Sequence, residues 1–273
     1  MTTTVPPANP LSEPRAPGRR GAATVSKSPR SGPPGGVRPT LVQERRLWRS
    51  GHEWVAGIDE VGRGAWAGPL SVGVAVVRPG ARMPSVPKWL RDSKMLPEER
   101  REAIFEEVAA WCAAWAVGHA SAAECDRWGM TAAQRLATYR ALACVAIAPD
   151  AVVLDGPYDF VKDRTPQLPG LALEPGEPNP AWLSLPQVVL PRIVLPMIDA
   201  DQHCAAVSAA SVLAKVVRDR LMRAEAEHFP AYEFERNKGY PSPTHKFALR
   251  GYGLSVIHRR SWAFVAGVPW RVT

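Results

Sequence analysis

The chain has 273 residues, 46% hydrophobic and 22% charged, which allows one large domain or two small ones and excludes wholesale disorder. No run of about 18 apolar residues exists, so no transmembrane helix is expected, and MTTTVPPANP lacks the basic and apolar parts of a secretory signal. Four cysteines without a Cys-x-x-Cys pair argue against a zinc ribbon or disulfide framework and fit a reducing cytoplasm, while a net charge of +8 favours polyanionic partners.

Much of that charge sits at the start. Residues 1–40 carry Arg15, Arg19, Arg20, Lys27, Arg30 and Arg38 against Glu13 alone, among nine prolines and five glycines. We read residues 1–45 as a disordered basic tail, a sequence-independent tether for phosphate, and residues 46–273 as one domain. Within that domain WVAGIDEV and LSVGVAVV predict two strands joined by a glycine-rich turn. A helix follows Pro97, with Ile104, Val108, Trp111 and Trp115 at helical spacing, and WAVGHAS reads as a third strand. TAAQRLATYRALACVAIA predicts a second helix ended by Pro149, and AVVLD a short buried strand. The proline-rich stretch 157–196 reads as a surface insertion, RIVLPMI as a strand, and Ala205 to about His228 as a long helix. Strands interleaved with helices give an α/β domain with a mixed sheet.

Acids terminate three of these strands. Asp59 and Glu60 end the first, Asp155 ends AVVLD, and Asp201 follows RIVLPMIDA. A carboxylate at the end of a buried strand is costly unless solvated, paired or bound to a cation. Convergent acids of this kind suit Mg²⁺ or Mn²⁺, two of which can serve a phosphodiester hydrolysis. Neighbours on a regular strand face opposite ways, so Asp59 and Glu60 share a site only if the pleat breaks at Glu60, which Gly62 and Gly64 would make easy.

The motifs GIDEVGRGAWAGP (57–69), DSKMLPEERRE (92–102), VVLDG (152–156), AVSAASVLAKVVRD (206–219), NKGYPSPTH (237–245) and HRRSW (258–262) stand in an order that resembles the ribonuclease HII family. The resemblance implies a ribonuclease-H-like fold, a mixed five-stranded sheet flanked by helices. It implies an endoribonuclease that cuts the RNA strand of RNA–DNA hybrids and incises 5′ of ribonucleotides embedded in duplex DNA, leaving 5′-phosphate and 3′-hydroxyl ends. Asp59, Glu60, Asp155 and Asp201 match the family's catalytic acids, which hold Mn²⁺ or Mg²⁺. Asp201 is preferred to Asp199 because it stands seven residues before Ser208 of the SAAS motif.

By the same resemblance Gly62, Arg63 and Gly64 form the loop that recognises the RNA–DNA junction, and Tyr240 stacks on the deoxyribose that follows the ribonucleotide. Ser208, Ser211, Lys215 and Arg218 form a polar stripe on the long helix, opposite Val207, Ala210, Ala214, Val217 and Leu221. Ser211 and Lys215 from that stripe, and Lys94 from DSK, are candidate phosphate contacts. The six histidines have no ligand spacing, which disfavours a zinc hydrolase. The expected protein is a cytoplasmic monomer with nucleic acid as its partner and no readable protein partner. Two alternatives stay open: a junction-resolvase-like or transposase-like nuclease of the same fold, and a non-catalytic nucleic-acid-binding protein.

Overall fold

The computed structural model describes residues 37–79, 85–162 and 188–269. Residues 1–36 and 163–187, which hold most of the expected tail and insertion, lie outside the described residues. Five strands form one sheet: β1 (Val55–Val61), β2 (Leu70–Val77), β3 (Ala114–Ala120), β4 (Ala151–Asp155) and β5 (Ile193–Met197), in the order β3-β2-β1-β4-β5. β1 runs antiparallel to β2 and parallel to β4, so the sheet is mixed, as expected. Every residue of β2 is buried, which explains a near-continuous apolar run where alternation is absent. β5 lies at an edge and carries Pro196, a residue that only an edge strand tolerates well.

Helices cover both faces. On one lie α2 (Glu98–Trp111) and α5 (Ala205–His228), packed with Val55, Ala75, Val77 and Val153. On the other lies α3 (Ala122–Cys144), packed with Ala56, Ile58, Val72, Val74 and Leu154. α5 sits very close to the sheet. A Cβ at Gly57 would stand 2.1 Å from the Ala206 carbonyl carbon, and one at Gly73 would stand 2.5 Å from the Ala210 oxygen. Small residues on both partners therefore fix the distance between β1 and α5. A third cluster joins Ala67 and Met222 to Tyr232, Phe234, Ala248 and Leu249, around α6 (Phe234–Asn237) and α7 (Pro243–Tyr252). No described helix is long and apolar enough to cross a membrane.

Several expectations need correction. The tail boundary at residue 45 is too late, because α1 (Val42–Arg49) already belongs to the fold. Leu41, Glu44 and Leu47 are buried, and Thr40 pairs with the chain at Cys204. α2 ends at Trp111, and Trp115 belongs to β3. α3 starts at Ala122, capped by Ser121 in a capping box with Glu124, and passes through a break at Gly129, so it begins nine residues before the predicted segment and stops at Cys144. The insertion is shorter than 157–196: Phe160 and Val161 are buried, and residues 193–196 belong to β5.

Candidate active site

The acids gather where β1 and β4, which run parallel, reach their C-terminal ends. The strand does not break at Glu60. β1 stays in register with β2 through Val61, so the expected pleat break is absent. Asp59 points to the α5 side, where it meets Ser211, and Glu60 points to the α3 side, where its Oε2 accepts from Gln134 Nε2 at 3.2 Å. Both lie close enough to Asp155 to feel its charge. The two neighbours thus approach one strand end from opposite faces, which the alternation rule permits.

Asp155 accepts the Ala200 N–H at 2.8 Å and so anchors the short helix α4 (Ala200–His203) that carries Asp201. Asp201 is buried, and its Oδ2 receives Lys94 Nζ at 2.9 Å, whereas Asp199 is exposed in the left-handed region. Burial, followed by the charge of Glu60, raises Asp59 well above the ordinary carboxylate range. Asp155 is raised by burial and by Asp201, and Glu60 by burial against the opposing pull of Arg63. Asp92, which sequence reading passed over, is also buried and raised, by burial and by Asp201. Its place within the DSK motif was the available signal.

Among the described residues no three His, Cys, Asp or Glu side chains are drawn close enough to hold a metal ion. The donor chemistry nonetheless fits a hard divalent cation. It is all carboxylate oxygen, and three acids are raised by burial together with one another, so the ensemble lacks positive charge. Lys94 supplies the nearest of it, from a side chain 71% exposed.

The loop after β1 is held from beneath. Gly62 has φ +86° and its Cα faces Arg218 Nε, where a Cβ would stand 2.3 Å away, so the turn requires glycine. Nothing lies within 4 Å of a Cβ at Gly64, so packing within the described residues does not require glycine there. Arg259 donates to the Gly62 and Arg63 carbonyls at 2.6 and 2.8 Å, and Arg218 donates to Pro69 and Ala67 at 2.8 and 3.1 Å. These two buried guanidiniums were missed as functional residues. Arg218 is therefore no part of a solvated stripe, and Ser208 and Ser211 are buried as well. The side chain of Arg63 stays 55% exposed, with one donor on Gln134 Oε1 at 3.0 Å. Tyr240 comes to the same loop and accepts the Gly62 N–H on its hydroxyl at 3.0 Å. Lys215 lies 5.8 Å from the Tyr240 ring centre but is tied to Asp219 at 2.6 Å. Ser211 donates to Ser93 Oγ at 2.9 Å.

The sequence profile of the Ribonuclease HII family matches residues 56–265, from β1 through the segment that contains Arg259. The chain belongs to the ribonuclease HII family. Ribonuclease HII of Streptomyces avermitilis is 43% identical over 235 residues, covering 85% of this chain and 88% of that protein. The crystal structure of ribonuclease H2 from Pyrococcus horikoshii is 28% identical, with a TM-score of 0.58 over 79% of this chain and 96% of that one. A structure of Bst ribonuclease HIII in complex with Mn²⁺ shares the fold at 17% identity and a TM-score of 0.54, over 79% of this chain and 69% of that one. Membership makes the chain a ribonuclease H, a hydrolase of phosphodiester bonds. In this ribonuclease HII the acids, the Gly62–Gly64 loop and Tyr240 come from segments up to 178 residues apart and gather beyond the C-terminal end of β1.

Proposed function

We propose that this ribonuclease HII cuts the RNA strand of RNA–DNA hybrids and incises on the 5′ side of ribonucleotides embedded in duplex DNA, leaving 5′-phosphate and 3′-hydroxyl ends. The observation that carries the reading is the contact of Tyr240 with Gly62, which sets an aromatic ring against a glycine loop beside the acids. A ribose differs from a deoxyribose by one hydroxyl, so selection needs groups in close quarters with it. The open space at Gly64 admits a sugar, Arg63 is placed to hold the adjoining phosphate, and the Tyr240 ring can favour deoxyribose on the next residue.

Asp59, Glu60, Asp155 and Asp201 would hold Mn²⁺ or Mg²⁺, in keeping with the manganese complex of the HIII neighbour. Two such ions supply charge neutralisation at the phosphate and ready ionisation of the attacking water. The chain's own part is to fix the acids on two strand ends and a helix anchored by Asp155, and to exclude strands without a 2′-hydroxyl. Lys94 shields Asp201 in the absence of the ions and sits where it can meet a phosphate. We read the enzyme as a cytoplasmic monomer.

A duplex with a single ribonucleotide, incubated with Mn²⁺ or with a chelator, tests the proposal. Incision 5′ of the ribonucleotide only in the presence of the ion is expected. Equal cleavage of an all-DNA duplex, or of a four-way junction, would overturn it.

A further inference from the structure

His245 and His258 stand 13 residues apart, in α7 and in the loop beyond it, and meet in the interior. They are 0% and 1% exposed, and their Nε2 atoms are 2.9 Å apart. The other nitrogen of each ring has a partner whose role is fixed. His245 Nδ1 lies 2.9 Å from the Tyr240 carbonyl oxygen, which can only accept, so this nitrogen carries a proton. His258 Nδ1 receives the Ser255 N–H at 2.9 Å, which can only donate and so favours a bare nitrogen, to which the Ser255 hydroxyl at 2.7 Å then donates as well. His258 therefore bears its proton on Nε2 and gives it to the bare Nε2 of His245. The chain runs one way: Ser255, His258, His245, Tyr240.

An additional proton is disfavoured along this chain. A second proton on His245 would set two N–H groups against each other, and one on His258 Nδ1 would oppose the Ser255 amide, with the Ser255 hydroxyl at 2.7 Å as the one acceptor in reach. The surroundings agree. Phe234 packs edge-on to His245 at 5.5 Å, Tyr232 lies 4.8 Å from His258, and its hydroxyl is engaged with Gly253. Trp66 lies 5.9 Å from His245. Arg260 is the cation that bears on His258, and a charge on His245 would likewise disfavour an imidazolium there. Burial lowers both rings, His258 to about 3.

We propose that His245 and His258 are positioning residues, a neutral relay that fixes the Tyr240 backbone so that its phenol stays on Gly62. Neither imidazole contacts substrate; both act through Tyr240, and the proposal rests on the reading of Tyr240 as the group that checks the sugar. The relay explains why two histidines without ligand spacing occur in motifs that otherwise carry Tyr240 and Arg259.

Two measurements test it on the full chain. Nitrogen-15 imidazole shifts at neutral pH should show His245 protonated on Nδ1, the less common neutral form, and His258 on Nε2. The opposite tautomer at either ring, or an imidazolium at pH 6, would overturn the relay. In the second, cleavage of a ribonucleotide–DNA junction is compared with cleavage of a continuous hybrid. His258→Phe should lower the junction-to-hybrid ratio about tenfold, the equivalent of one buried hydrogen bond, mainly through KM. His258→Gln, whose amide can donate to His245, should recover most of it and serves if the Phe variant fails to fold. A ratio lowered by Tyr240→Ala but unchanged in both His258 variants would overturn the relay alone. An unchanged ratio in Tyr240→Ala would instead sink the reading of Tyr240, and the tautomers would still judge the relay.

Discussion

Asp155 carries two duties that a single substitution separates. Its Oδ1 anchors Ala200, a bond that asparagine retains, while its charge is disfavoured by burial and by Asp201. Asp155→Asn should therefore lower turnover by orders of magnitude and raise the melting temperature of the cation-free protein at pH 7. Because the folded carboxyl is raised, the gain should fade as pH falls through its titration toward the ordinary carboxylate value of 3.8, and a thermal melt series in chelator checks it. His258 titrates with the opposite sense. Its folded value is depressed to about 3 from 6.5, so its contribution to stability is complete above 6.5 and is lost as pH falls toward 3. Between those limits the wild type should lose stability more steeply than His258→Gln, by up to one proton in the slope of unfolding free energy against pH. Arg259 invites a third substitution. Lysine keeps the charge but cannot span the carbonyls of Gly62 and Arg63, so Arg259→Lys should reduce kcat/KM at least about tenfold, with one or more buried carbonyls unpaired. The strand-end acids were legible because carboxylates punctuate apolar runs. Arg218 and Arg259 were not, since a buried guanidinium looks in sequence like any solvated one until its carbonyl partners are placed.

At the scale of elements, the sheet was readable because its central strands are apolar on both faces, and α5 was predicted from Ala205 to His228 within its observed bounds. α1 was not readable, because VQERRLWR is mostly charged and polar and its ties are long-range. Glu44 reaches across 162 residues to accept the Ala206 N–H at 2.7 Å and the Cys204 thiol at 3.0 Å, and so caps a long helix that has no side-chain cap of its own. Thr40 completes the strap through His203 and Ala205. Since Asp201 lies just before this junction, the strap steadies the acid as well as the helix. Removal of residues 1–36 should leave turnover at saturating substrate unchanged. Removal of residues 1–45 should lower the melting temperature by several degrees and weaken Mn²⁺ binding, as calorimetry can establish. Equal behaviour of the two truncations would deny the strap its role.

For the molecule as a whole, charge is unevenly divided: residues 1–40 hold +5 of the net +8. If that segment tethers phosphate, deleting residues 1–36, which carry five basic groups and one acid, should flatten the dependence of log affinity on log salt by at most about four units, at roughly 0.9 per phosphate contacted. An unchanged slope, measured by duplex binding, would remove the tether.

The clamp on the Gly62 loop has a consequence for synthesis. Arg259 joins the loop from 197 residues downstream, and His258 adjoins it in the chain. A chain translated from its N-terminus exposes β1, β4 and Asp201 before the Arg259 segment emerges. Contacts of such separation close late, because the intervening chain must already be ordered. The unfinished polypeptide, surrounded by messenger and ribosomal RNA, thus carries acids beside a loose loop and an untethered Tyr240. On the proposed reading, competence to cut awaits the arrival of the Arg259 segment at the loop.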